Sequence, residues 1–173
     1  TWGKGVKLVD PRLAGLGLRV VLPRDGMADF LEAEGYVAAS EDDWEAHRLA
    51  LGVPEAGRDI LIEKSFPLEC SFDELGAISY TKGCYVGQEL TARTHHRATL
   101  RKRLLPVHIK GQVPANGTPI MFNDREVGEM RSGQGDHGMA LIRLEYLSSL
   151  KADVQPDDIF EADGTSIRPW IPD

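Results

Sequence analysis

Residues 82–89 read Lys-Gly-Cys-Tyr-Val-Gly-Gln-Glu, and Cys84 is the side chain here best placed to do chemistry. Gly83 and Gly87 flank it, so the backbone can bend tightly and let another molecule approach. From Gln88 to Arg93 the residues have good helical propensity, with Glu89 and Arg93 at the favourable i, i+4 spacing. The expected arrangement is a glycine-flexed loop feeding a short helix, with Cys84 near the helix N-terminus. A helix N-terminus and a nearby cation both lower a thiol's pKa, and the thiolate is the form that attacks electrophiles and binds metals. Lys82 supplies positive charge locally, and Arg93 is a second source. Cys84 is therefore a candidate nucleophile or metal ligand. The competing reading is an inert small residue in a tight turn.

The other reactive side chains are weaker candidates. Cys70 follows Glu69 on the approach to this stretch, and its default is a buried, inert thiol. His95 and His96 are adjacent, so on a helix they diverge by about 100° and cannot chelate one metal together. One of them could still face Cys84 as a ligand or proton donor. His47 reads as a structural residue on an apolar helix face. Glu69 and Glu89 are the nearest acids. Glu69 could cap its loop, and Glu89 could serve the helix dipole and Arg93.

The chain of 173 residues is 42% hydrophobic and 27% charged, which fits one domain or two small ones able to bury a core without disulfides. Two cysteines are too few for a disulfide scaffold, and their spacing is not that of a local zinc pair. A reducing compartment is the simpler inference. No apolar run approaches the roughly 20 residues that span a bilayer. The net charge of −7 is uneven: residues 90–123 hold six cations and no acid, leaving −13 on the remaining 139 residues. Such a stretch could attract a polyanion or an acidic partner, or simply be a solvated face. It lacks interleaved aromatics and any nucleic-acid motif, so no nucleic-acid partner is expected.

The elements that must position Cys84 follow from hydrophobic pattern and turn chemistry. Residues 16–22 predict a buried strand closed by Pro23 and an Asp25-Gly26 turn, and residues 27–34 a short helix stopped by Gly35. Residues 40–51 predict a helix capped by Ser40, with acids in its first turn and Trp44, His47, Leu51 and Arg48 sharing a face. A short strand at 61–66 and one helical turn at 72–75 come next. Beyond Arg101 the pattern changes to strands at 104–109, 118–122, 126–131, 139–144, 159–161 and 166–167, with an Asp163-Gly164 hairpin turn. So many short strands predict a small antiparallel barrel or sandwich. The expected fold class is α+β, with a boundary between Ala98 and Arg101 separating residues 1–98 from a β-domain at 99–173.

Residues 82–89 also resemble the K-G-C-[FY]-x-G-Q-E signature of the YgfZ family, relatives of the glycine-cleavage T-protein (GcvT). Asp10-Pro11-Arg12 with residues 16–19, Arg48 with Gly52-Val53-Pro54, residues 66–69 and Val127-Gly128-Glu129 resemble further motifs of that family. Residues 90–96 and 101–104 look most like its mitochondrial member, with a bacterial cytoplasmic relative as the alternative. The resemblance implies residues 1–98 to be the C-terminal portion of a GcvT-like folate-binding domain, followed by a small barrel. It also implies that a further N-terminal portion should precede Thr1, and that a precursor would carry a transit peptide.

The function so implied is late assembly of four-iron, four-sulfur clusters in the mitochondrial matrix, by an assembly factor more than by an enzyme. Cys84 is then the metal-binding cysteine. Lys82, Gly83, Tyr85, Gly87, Gln88, Glu89, Arg93 and Glu69 are the implied cofactor-binding residues, and tetrahydrofolate is a further implied ligand near residues 67–69. Common clusters take four protein ligands, so a single thiolate needs a partner. The resemblance implies an A-type iron–sulfur carrier sharing a transient cluster, with a ferredoxin supplying electrons. Two rivals stand beside this reading: a folate-dependent aminomethyltransferase and a thiol-based redox helper.

Overall fold

A computed structural model describes residues 5–97, 100–147 and 160–172. Two strands, β1 (Val6–Val9) and β2 (Leu18–Val21), pair antiparallel in a ribbon. Helices α1 (Met27–Ala33) and α2 (Glu41–Ala50) follow, then irregular turns, a 3-10 turn at Pro67–Cys70, and α3 (Gln88–Arg97). Six strands then close into an antiparallel barrel: β3 (Lys102–Lys110), β4 (Pro119–Phe122), β5 (Arg125–Gln134), β6 (His137–Arg143), β7 (Phe160–Ala162) and β8 (Thr165–Pro169). The strand order is β3-β6-β5-β4-β7-β8. Closure pairs both edges of every strand, which removes the exposed edge that invites aggregation.

β3 shows how the barrel meets the rest of the chain. Side chains alternate faces along a strand, and here both faces are buried from Leu104 to Val107. Leu105, Val107 and Ile109 point into the barrel with Ile120, Val127 and Ile142. Leu104 points outward and packs with Met139 of β6 against Leu49 of α2 and Cys70. Each fully buried leucine contributes about 1.5–3 kcal/mol. β5 passes close to β6: a Cβ on Gly128 would lie 2.4 Å from the Leu141 carbonyl oxygen, so only glycine fits without a backbone shift. The predicted Asp163-Gly164 turn forms with φ of 49° and 74°. Asn123 and Asp124 make an equivalent turn between β4 and β5, with φ of 49° and 59°.

α2 is fixed differently. Ser40 and Asp43 form a reciprocal capping box at its start. Its buried face is Glu45, Arg48 and Leu49, so of the predicted Trp44, His47, Leu51 and Arg48 face Arg48 is buried and Leu51 half-buried, whereas Trp44 and His47 are exposed. The cause is a charged network that hydropathy cannot register. The Arg48 guanidinium is 1% exposed and donates to both Glu45 oxygens, at 2.9 and 2.5 Å, and to Asp59 Oδ2 at 2.7 Å. It also donates to the Val53 carbonyl at 3.1 Å and to Ser132 Oγ on β5 at 3.0 Å. Asp59 Oδ1 in turn accepts the Ser132 backbone N–H at 3.1 Å. The Arg48–Pro54 motif thereby locks α2, the loop behind it and the barrel wall into one unit. His47 instead meets the Gly15 carbonyl at 3.1 Å.

Two strand predictions also change. Leu16 lies in a 3-10 turn, and β2 is largely exposed because, among the described residues, it pairs only with β1. Residues 61–66 form turns: Ser65 Oγ accepts the Leu61 N–H at 2.9 Å, the Leu61 carbonyl accepts the Ser65 N–H, and Glu63 sits at φ 61°. Residues 72–75 contain one helix-like bond, Leu75 N–H to the Ser71 carbonyl. The predicted boundary at Ala98 and the strand start at Ile159 fall outside the described residues.

Candidate functional site

Gly83 and Gly87 both adopt left-handed backbone, with φ of 87° and 85°, a region that glycine enters without the steric cost other residues meet. Between them the chain reverses and carries Cys84 outward, where it is exposed with a free thiol. Val86 beside it is fully exposed. Tyr85 and Gln88 bind each other: the Tyr85 N–H donates to Gln88 Oε1 at 3.3 Å, and the Gln88 N–H donates to the Tyr85 carbonyl at 3.2 Å. The Gly87 carbonyl accepts the Thr91 N–H at 3.1 Å and so starts α3. Cys84 therefore precedes the helix by one tight turn. Lys82 Nζ lies 4.9 Å from the Tyr85 ring centroid, a cation–π contact.

A cavity of about 430 Å³ opens beside this loop, lined by Tyr85, Gly87, Gln88, Glu89 and Arg93. It gathers five of the predicted residues, while Lys82, Gly83 and Cys84 stand outside its lining. The Tyr85 hydroxyl is buried and, among the described residues, has no hydrogen-bond partner. A buried donor left unpaired costs about 1–3 kcal/mol, and a ligand could satisfy it. Arg93 and Glu89 form an exposed ion pair at 3.6 Å, the kind that contributes roughly 0.3–0.5 kcal/mol. His95 is held by Tyr80, whose hydroxyl lies 3.2 Å from Nδ1 and whose ring lies tilted against it at 4.4 Å between centroids. The side chain of His96 lies outside the described residues.

Glu69 is placed elsewhere. It lines a second cavity, of about 390 Å³, with Cys70, Lys102 and Arg131. Burial lifts the Glu69 carboxyl above its usual range, against the pull of Lys102. Burial likewise pushes up the Cys70 thiol, against a hydrogen bond from Ser65, which disfavours the thiolate form. The 3-10 turn carrying both residues touches α3. Sequence reasoning missed Tyr80, Lys64, Arg101 and Arg131 as neighbours of these sites. Their positions are too scattered along the chain for spacing to reveal them.

Among the described residues no group of three or more His, Cys, Asp or Glu side chains could hold a metal ion. Cys84 therefore offers a single thiol and no local set of companion ligands. No helix among them is long and apolar enough to cross a membrane.

The family model described as the CAF17 C-terminal β-barrel domain matches residues 101–173. The chain is 38% identical over 151 residues to the mitochondrial iron–sulfur cluster assembly factor IBA57 of Mus musculus, an alignment covering 84% of this chain and 41% of that protein. It is 40% identical over 143 residues to the IBA57 of Homo sapiens, covering 80% and 39%. An Aspergillus clavatus protein described as an IBA57 homolog is 33% identical over 189 residues, covering 93% and 40%. The chain thus spans about two-fifths of the length of these curated relatives.

Proposed function

We propose that the chain, 38–40% identical to the IBA57 iron–sulfur cluster assembly factors over most of its own length and matching the CAF17 C-terminal barrel at residues 101–173, belongs to their family and acts in the mitochondrion late in the making of four-iron, four-sulfur clusters. Cys84 supplies one thiolate to a cluster in transit, and an A-type carrier protein supplies the remaining ligands. The observation that carries this reading is the isolation of the thiol. Cys84 is exposed on a glycine-bounded turn, and no companion ligand set surrounds it among the described residues. A cluster needing about four ligands cannot be enclosed here, but it can be capped by a protruding thiolate.

The residues around Cys84 then have separate tasks. Gly83 and Gly87 let a partner's backbone come close, and the exposed Val86 gives that partner an apolar contact. Lys82, steadied on Tyr85, offsets the negative charge of a thiolate-bound cluster. Gln88 braces the turn, and Glu89 with Arg93 presents a paired, polar rim. Electrons for joining smaller clusters come from a ferredoxin. In this proposal residues 1–98 are the C-terminal portion of a GcvT-like folate-binding domain and 99–173 the barrel, with tetrahydrofolate as a ligand of the Glu69 side. The protein is an assembly factor more than an aminomethyltransferase, since an exposed thiol has no part in transfer between folate and an amine.

The test is anaerobic co-purification of the whole protein with an A-type carrier, followed by absorbance and iron counts. Wild type should yield a cluster-containing complex that Cys84→Ser fails to form. A Cys84→Ser complex with unchanged iron content would sink the proposal. A mixed disulfide trapped at Cys84 without iron would favour a redox role.

A further inference from the structure

The outer face of the barrel brings two imidazoles together. His108 on β3 and His137 on β6 stand directly opposite each other in the strand register. Val107 and Ile109 belong to the barrel core, so His108 between them points outward. The Ile109 N–H donates to the Asp136 carbonyl at 2.8 Å, which makes 108–137 the neighbouring non-hydrogen-bonded position, where facing side chains come closest. The two ring centroids are 5.2 Å apart, with their planes at 62°. Each ring has its own support. Trp170 stacks on His108 at 5.9 Å and 23°, and Asp136 Oδ1 lies 2.7 Å from His137 Nδ1. Among the described residues neither ring nitrogen of His108 has a hydrogen-bond partner.

The geometry points to a two-histidine site for a divalent late transition-metal ion, bound by His108 and by Nε2 of His137, with water completing its shell. Imidazole nitrogen suits zinc, copper and nickel, whereas magnesium and calcium seek oxygen. Metal–nitrogen bonds of about 2.0–2.1 Å, at tetrahedral to square angles, put two ring centres roughly 5 Å apart, which matches the observed spacing. Asp136 is not a ligand. It accepts the His137 Nδ1–H, which leaves the lone pair on Nε2 and fixes the ring's orientation. Its charge also offsets Arg168, which faces His108 from β8. Only two protein ligands hold the ion, so it exchanges with solvent, unlike the ion of a closed structural site. The site needs nothing from Cys84 and stands apart from the cluster proposal.

Nickel(II) chloride titrated into the whole protein tests this site, with Cys84→Ser in the background to remove the competing exposed thiol. Calorimetry should show saturable binding, and nickel should quench Trp170 fluorescence over the same range, because the ion sits against the ring that stacks on that indole. Trp170→Phe should lose this quenching. His108→Gln and His137→Gln should each weaken binding about tenfold or more, since a single imidazole remains. Asp136→Asn should weaken it severalfold with both imidazoles still in place. Magnesium at about hundredfold excess should not compete. All these positions lie on the outer face, and circular dichroism should show every variant folded. A change below about twofold in both histidine variants overturns the site. So does quenching that persists undiminished in Trp170→Phe, or displacement of nickel by magnesium.

Discussion

The barrel and the Cys84 turn use glycine and charge for opposite ends. In the barrel, Gly128 has no side chain because the β6 backbone occupies that space. At Gly83 and Gly87 nothing lies within 4 Å of where a Cβ would stand, and the glycines serve only the left-handed bend. The charges divide in the same way. Arg48 is buried and bound on all sides, whereas Arg93 and Glu89 meet loosely in solvent. Even the two thiols follow this division: Cys70 is packed against Leu104, and Cys84 projects from the surface. The molecule keeps its satisfied groups where they hold the fold, and its unsatisfied thiol where another molecule can reach it.

The comparison breaks first at Arg48. Arg48→Ala leaves Asp59 buried without its cation and Glu45 with Arg58 alone, so it should cost about 3–5 kcal/mol in denaturant unfolding. A loss below 1 kcal/mol would mean that α2 is not tied to the barrel through this network. Ile142→Ala, inside the barrel, should cost about 2–5 kcal/mol through the cavity it leaves. Neither change touches the Cys84 turn, so whatever protein remains folded should keep its thiol reactivity.

Acid should act on the first half of the chain. Hydrogen bonds from Arg12, with help from Arg19, hold the Asp10 carboxyl well below its usual range, and hydrogen bonds from Arg48 lower that of Glu45. Both groups have folded pKa values below their unfolded ones of about 4, so the stability they add is complete above that pH. It is lost as the pH falls through the folded values. Unfolding free energy should therefore drop steadily below pH 4, and Asp10→Asn should shallow that drop. An unchanged slope in Asp10→Asn would place the acid sensitivity elsewhere.

Much of this contrast is legible in the sequence, and the remainder fails for physical reasons. The alternating strands of the barrel, the Ser40 cap and the Asp163-Gly164 turn are local signals, readable within a few residues. Arg48 is not, because a buried guanidinium looks like any surface cation until Glu45, Asp59 and Ser132 are brought to it. β2 misleads in the opposite sense: its Leu-Arg-Val-Val run looks like a core strand but is mostly exposed. The Cys84 turn was readable because its glycines, lysine and cysteine are contiguous. The Glu69 cavity was not, since Lys64, Arg101 and Arg131 meet only through the fold.

The two cysteines give the smallest and most discriminating effects. Cys70→Ser puts a hydroxyl into a buried apolar cluster, and where that hydroxyl stays poorly bonded the cost is about 1–3 kcal/mol. Cys84→Ser replaces an exposed side chain and should change stability by no more than about 0.5 kcal/mol. Unfolding curves of both variants measure this directly. If Cys84→Ser destabilised as much as Cys70→Ser, the turn would be part of the packed structure, and its thiol would need no chemical role. A near-silent Cys84→Ser that nonetheless loses the shared cluster separates function from stability at a single atom, because serine keeps the shape of the turn and removes only the sulfur.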